Sequence, residues 1–345
     1  MQVRSTLGLG LLLFGALLSL QRCGRQEGSA GFSSTNAQSK GLRGPVASAI
    51  TREFSSIPGE TGTQWQEISR QEYTFDAKGD LVEEKTWSGG KPISHLIHET
   101  NDSGYLVHVD IRVQQGQAGG ERRFFTDGLR CFSQTFDARN QMIEQQERVF
   151  DAGGRNIKRS QVLYRREEGE DRVITKMEWN VDYLGKDSVS TTYYNDGLVR
   201  EKSLMVGGIL TERSDLDDAG KVVRRGRMIP TGNPSETMFV WQDGNGRMLE
   251  QLLESTLEDG GSSNETRVLQ PDGSLASLHV EVYSSEGLLM EERHWMYDAA
   301  GAMVPNPVLR YLYLDDAAGN WILKVQLVEG KMQSVWARDL RYHPA

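Results

Sequence analysis

Apolar and polar residues alternate along most of the chain with a period of two, in short stretches. Tyr311 and Tyr313 share one face of a segment whose other face carries Leu312 and Leu314. Trp321, Leu323, Val325 and Leu327 line one side of the next segment, opposite Ile322, Lys324, Gln326 and Val328. Leu278, Val280 and Val282 alternate in the same way with His279 and Glu281. Successive side chains of a strand point to opposite faces, so this period predicts strands with one apolar and one mixed side.

Two kinds of turn phrase separate the segments. The first is an aromatic or apolar residue, Asp, two residues and Gly. It occurs as Phe75-Asp76-Ala-Lys-Gly79, Phe150-Asp151-Ala-Gly-Gly154, Leu216-Asp-Asp218-Ala-Gly220, Tyr297-Asp298-Ala-Ala-Gly301 and Asp316-Ala-Ala-Gly319-Asn-Trp321. The Asp side chain accepts from backbone N–H groups further on, and the Gly takes a left-handed conformation without a Cβ clash. The second kind is Gly-rich: Ser88-Gly-Gly-Lys91, Gly207-Gly208, Asp259-Gly-Gly261 and Glu329-Gly-Lys331. Their alternation predicts a meander with one turn type at each edge.

Recurrence of turns roughly every 10–14 residues implies about twenty strands. A flat sheet of that size would leave an apolar face wet and two edges open, and twist makes long sheets curl. The fold class expected is therefore all-β, an antiparallel meander of many hairpins. It forms a large curved or wrapped sheet with its apolar face inward, and helix is scarce. Uneven spacing disfavours the identical blades of a propeller. Met228–Ser235 and Ala302–Pro307 are the most loop-like internal stretches.

The amino terminus breaks this pattern. Arg4 precedes an uncharged, Leu-rich run, Leu7–Leu20, too short for the roughly 20 residues of a spanning helix and suited to an export signal. Gly24–Lys40 is rich in Gly, Ser, Gln and Asn and cannot bury a core. The division expected is 1–22 signal peptide, 23–41 flexible tether and 42–345 repeat β-domain.

Net charge is −9, and removing Arg4 and Arg22 with the signal makes it −11. That excludes a basic nucleic-acid surface. Two cysteines, Cys23 and Cys131, exclude a disulfide scaffold and a multi-cysteine zinc site. Cys131 is expected as a small half-buried strand residue.

Leu20-Gln-Arg-Cys23 resembles the bacterial lipoprotein signal, with Leu three residues before the acylated Cys. The resemblance implies that Cys23 carries a lipid and becomes the mature first residue. Arg22 stands where such signals have a small residue, which keeps ordinary secretion and an uncleaved anchor open. The Asp-x-x-Gly phrases, closest in Tyr297-Asp298-Ala-Ala-Gly301 and Asp316-Ala-Ala-Gly319-Asn320-Trp321, resemble the tyrosine–aspartate repeats of the Rhs family. Gly41-Leu-Arg-Gly44-Pro-Val46 looks like the opening of repeat-bearing bacterial envelope lipoproteins. In large Rhs relatives such repeats build a hollow β-shell around a toxin. The family phrase contains no catalytic residue.

Candidate chemistry is sparse. His95-Leu-Ile-His98-Glu99 invites a metal, but residues three apart on a strand face opposite ways. Asp215-Leu-Asp-Asp218 and Asp315-Asp316 lack calcium-loop spacing, and turn capping accounts for them. Glu83-Glu84, Glu167-Glu168 and Glu291-Glu292 point to opposite faces and form no acid–base pair by themselves. His108, His279, His294 and His343 are scattered. Seven tryptophans are spread along the chain as packing residues, unless several line one groove and stack on sugar rings. No nucleophile elbow, phosphate loop or dinucleotide fingerprint occurs.

The reading is thus an exported, lipid-anchored cell-envelope repeat protein, an outer-membrane lipoprotein or periplasmic, with surface exposure or secretion open. It acts as a binding or scaffold module for an envelope protein or glycan. No enzyme activity, cofactor or nucleic-acid partner is expected, and the membrane is met only through the lipid. The alternatives are a carbohydrate-binding or carbohydrate-processing surface protein and a shell or immunity component of a toxin system. Convergent Trp and carboxylate side chains would favour the carbohydrate reading, and buried Trp the scaffold.

Overall fold

The computed structural model describes residues 36–344 apart from 60–61, 102–104, 115–116, 168–169, 185–186, 194–197, 208 and 299–300. Cys23, the signal segment and residues 23–35 of the expected tether lie outside the described residues. The strands are β1 (Val46–Gly59), β2 (Gly62–Phe75), β3 (Leu81–Ser88), β4 (Lys91–Thr100), β5 (Leu106–Gln114), β6 (Gln117–Asp127), β7 (Arg130–Asp137) and β8 (Met142–Phe150). Next come β9 (Asn156–Glu167), β10 (Glu170–Leu184), β11 (Asp187–Tyr193), β12 (Val199–Val206), β13 (Ile209–Leu216), β14 (Val222–Ile229), β15 (Glu236–Asp243) and β16 (Met248–Thr256). The last are β17 (Ser262–Leu269), β18 (Leu275–Tyr283), β19 (Leu289–Tyr297), β20 (Met303–Pro305), β21 (Leu309–Asp315), β22 (Trp321–Val328) and β23 (Lys331–Tyr342). Among the described residues the one helical piece is a 3-10 turn, Gln38–Lys40.

Except for β20 and β21, each strand pairs antiparallel with the next, and β1 pairs with β23 from Val46↔Tyr342 to Ser55↔Ser334. The expected curved or wrapped sheet is therefore a closed barrel, which leaves no open edge to aggregate. β20 and β21 share β19 as neighbour: Trp295↔Pro305 and Tyr297↔Met303 at one end, Glu292↔Leu309 and Glu291↔Arg310 at the other. They are one wall strand broken around Pro305 and Pro307, which have no N–H to give a ladder, so the barrel wall has 22 strands. The loop expected at 302–307 is that broken strand, whereas 230–235 is a true loop.

The Asp-x-x-Gly phrase works as its chemistry requires. Asp76, Asp137, Asp151, Asp243 and Asp316 each accept with Oδ1 from the N–H groups two and four residues on. In the 216–222 turn the acceptor is Asp217, not Asp218. Asn140, at φ 59°, replaces the Gly of the 137–141 turn. Leu257, Gln270 and Ser284 start turns of the same backbone form, so Asp259-Gly-Gly261 belongs to this class and not to the Gly-rich one. The two turn types are not sorted by edge either. The Asp76 turn joins β2 to β3 and the Asp137 turn joins β7 to β8, at opposite ends of the barrel. Turn form is local, whereas the end it occupies depends only on how many strands precede it.

These turns also insert a bulge. Register shifts where Phe75 meets Leu81, Phe136 meets Met142, Tyr283 meets Leu289 and Asp315 meets Trp321. The extra residue sends the first side chain of the new strand to the other face. Trp321 therefore does not share a face with Leu323, as simple alternation predicts. It lies with Arg338, whose guanidinium is 3.5 Å from its ring centroid.

Cross-strand pairing defines two faces. One carries Ala49, Tyr73, His98, Val109, Thr135, Thr192, Trp241, Tyr311 and Ser334, and most of the fully covered side chains belong to it. Side chains converge on the concave side of a barrel and splay on the convex side, so this is the inner wall. Only eleven apolar residues are fully buried among the described residues, far fewer than a filled core requires. The barrel is hollow. The expected inward apolar face is overturned: Leu312 and Leu314 (55% and 56% exposed) point outward, while Tyr311, Lys324, His279 and Glu281 point inward. Side chains cannot meet across so wide a lumen, so it gives aliphatic groups no dry core.

Aliphatic burial concentrates where the amino-terminal strap, residues 36–45, lies on the inner wall. Ala37, Leu42, Val46, Ala49, Phe75 and Leu81 form a cluster joined by Tyr73 and Leu340. Residues 36–41, within the expected tether, are thus packed and not free.

Candidate functional site

The inner wall holds its charges in ladders. Arg213 pairs with Glu201 at 2.8 Å and with Asp215 at 3.5 Å, Arg224 with Glu250 at 2.6 Å, and Arg122 with Glu144. Arg224 lies 4.0 Å and Arg213 5.6 Å from the Trp241 ring centroid. Phe239 meets Trp241 edge-on at 5.4 Å, and both rings cover Gly226, where a Cβ would stand 2.3 Å from Phe239 Cε1. Burial pushes the Glu201 carboxyl up against the pull of Arg213.

The densest constellation spans β18 to β23 and β1 to β2. Glu292 accepts from Tyr311 Oη at 3.3 Å and meets His279 Nε2 at 3.2 Å. Gln326 donates to Tyr311 Oη at 3.1 Å. Tyr283 donates to Glu281 at 3.0 Å, and Tyr313 to the Leu289 carbonyl at 2.9 Å. Burial, with Glu281 next, pushes the Tyr283 phenol up to about 12, and burial with Tyr311 does the same at Tyr313. The Lys324 ammonium stands 4.5, 5.7 and 4.8 Å from the ring centroids of Tyr311, Tyr313 and Trp336. Burial pulls Lys324 down, opposed by Glu53 and Glu292.

The groups singled out from sequence do not converge. His95 faces outward onto Glu83 at 2.8 Å, whereas His98 faces inward, where burial lowers its pKa. His108 meets Glu121 at 3.0 Å, His294 rests against His279, and the His343 backbone N–H reaches Pro45. Glu83 and Glu84 serve opposite faces, with Lys85 and Lys40. Glu291 and Glu292 divide likewise, Glu291 toward Arg293 and Arg310. The side chains of Glu167 and Glu168 lie outside the described residues. Asp215 joins Arg213, Asp217 caps its turn, and Asp218 pairs with Arg200. Asp316 caps its turn and accepts from Tyr342. Cys131 is fully buried on β7, not half-buried, and burial raises its thiol pKa. Among the described residues no group of three His, Cys, Asp or Glu is placed to hold a metal.

The tryptophans are dispersed, and cations cover five of them. Arg70 stacks on Trp87, Arg159 on Trp179, Arg224 on Trp241, Arg338 on Trp321 and Lys324 on Trp336. Trp65 is exposed. Sequence reasoning missed Lys324 and Arg338. Their signal is a cation alternating with aromatic residues on cross-strand partners, legible only once register is known.

Both faces carry charges at mid-strand. The outer face has Arg52 with Asp339, Lys85 with Glu83, Arg112 with Asp110 and Arg310 with Glu291. Each Arg or Lys at the midplane of a lipid-facing wall costs about 2–4 kcal/mol. Among the described residues neither face forms an unbroken apolar band.

No protein-family model matches the chain, and no curated protein matches it in sequence. Among solved structures it is similar to a porin-like protein from Bacteroides uniformis ATCC 8492, at 11% identity and TM-score 0.31, over 64% of this chain and 95% of that one. A porin-like protein from Bacteroides vulgatus ATCC 8482 gives 10% and 0.26, over 87% and 99%. Transferrin binding protein B from Haemophilus parasuis Hp5 gives 8% and 0.19, over 91% and 78%. At these scores the likeness is to β-rich architecture and goes no further.

Proposed function

We propose that the protein is an exported, lipid-anchored envelope protein whose hollow repeat barrel is a binding or scaffold module for another envelope component. The tyrosine–aspartate repeat reading of its turns and the lipid at Cys23 belong to this proposal. The observation that carries it is the outer surface of β21 to β23. Leu312 pairs with Val325, Leu314 with Leu323, and Val325 with Val335, giving a contiguous aliphatic patch. Leu312 and Leu314 are more than half exposed. An unpartnered aliphatic patch on a rim of charge marks a docking surface. Catalysis is not part of the proposal. The cation-covered tryptophan faces favour the scaffold over a sugar-stacking groove. Capture from bacterial envelope extract on the full chain, wild type beside Leu312→Ser and Leu314→Ser, tests the role. The wild type should retain a component that the double variant releases. Equal capture by both removes the patch from the proposal.

A further inference from the structure

Arg122, Arg213 and Arg224 on the inner wall each hold a carboxylate. Arg338 and Lys324 on the same wall form no ion pair among the described residues. Arg338 Nε donates to Thr51 Oγ1 at 3.3 Å, and its Nη1 is buried with no hydrogen-bond partner. The guanidinium carbon lies over the face of Trp321, 3.5 Å from the ring centroid. Burial pulls Arg338 down to about 10, with only Tyr73 opposing. Lys324 is the cross-strand partner of Trp336, and Arg338 lies two residues beyond Trp336 on the same face. The two cations therefore neighbour each other diagonally across β22 and β23. The nearby carboxylates spend their hydrogen bonds elsewhere, Glu53 with Ser69 at 2.8 Å and Glu292 with His279 and Tyr311; their charge acts on Lys324 without an ion pair, and none acts on Arg338.

A buried cation without a counter-charge is costly, and one partner of opposite sign removes most of that cost. Stacking covers the face of a guanidinium and leaves its edge N–H fork for an in-plane oxyanion, while the ammonium adds a point charge beside it. We propose that Arg338 and Lys324 form an oxyanion-binding site on the inner wall, taking a carboxylate or phosphate group between Trp321 and Trp336. The site gives the lumen a ligand class and rests on the binding-module reading. It is separate from the outer aliphatic patch.

The test is tryptophan fluorescence of the full chain titrated with inorganic phosphate and, separately, acetate, with sodium chloride holding ionic strength constant. A saturable change with one anion identifies its group as the ligand chemistry. Arg338→Met should abolish the change, Arg338→Lys should weaken it about tenfold, and Arg310→Met, on the outer face, should leave it intact. If Arg338→Met fails to fold, Arg338→Lys and Lys324→Met carry the comparison. Absence of a saturable change with either anion, or the same change in every inner-wall variant, overturns the site. Partner capture that still depends on Leu312 would then leave the binding role standing.

Discussion

Glu201 sits across from Thr192 and Asp215 on the inner wall, paired with Arg213. Burial raises its pKa above the unfolded value of 4.5, with Arg213 pulling down and Asp215 pushing up. The folded state therefore keeps this proton to higher pH than the unfolded chain does. Between the two pKa values folding binds a proton, so stability falls as pH rises from about 4.5 through the folded value. Asp243 acts in the opposite sense. The backbone N–H of Arg247 holds it low, and its contribution is lost on acidification through its folded pKa. Glu201→Gln should flatten the decline above pH 4.5 in a plot of urea midpoint against pH. Two parallel curves would mean the carboxyl titrates alike in both states. Neither the raised pKa nor the role of Lys324 is visible in the alternation. Both depend on which strands lie beside β12 and β22.

The strap and the closing pair β1–β23 are held by one side chain. Asn320, 2% exposed, accepts from the Arg43 N–H at 2.6 Å. It donates to the Arg43 carbonyl and to Tyr342 Oη, each at 2.9 Å. Tyr342 in turn donates to Asp316, and the His343 N–H reaches Pro45. The same Asp316 turn thus shapes a hairpin and, through Asn320, ties both ends of the described chain together. Asn320→Ala would leave the Arg43 groups without partners, at a cost of about 1–3 kcal/mol. The measurement is the urea midpoint, which should drop. An unchanged midpoint would mean that water replaces the amide and the joint is held by the Ala37–Leu42 cluster alone. From the sequence Asn320 is a turn residue, and nothing local marks it as a clasp.

As a whole the molecule is a wide, hollow barrel with charge on both faces. The proposed function leaves the wall in water and assigns attachment to a lipid on Cys23. Cells expressing the chain and fed labelled palmitate should label the wild type and not Cys23→Ser. The variant should fractionate with soluble protein in the absence of detergent. An unlabelled wild type ends the lipid anchor, and a variant that needs detergent means the wall itself meets lipid.

The sequence by itself determined the strands, the turns and the scarcity of helix. Two-residue alternation and the Asp-x-x-Gly bond pattern are complete within a few residues, so they operate before any distant contact forms. It also carried the antiparallel order, because hairpin neighbours are adjacent in the chain. Tertiary structure alone decided closure, since Val46 and Tyr342 meet only when twist accumulated over every strand brings the ends together. It likewise decided which face turned inward. Alternation distinguishes two faces without naming either as inner, and curvature made the aliphatic face of β21 and β22 the outer one. The pairing of Arg338 with Trp321 needed both, a locally encoded bulge to turn the ring and a closed lumen to bury the charge.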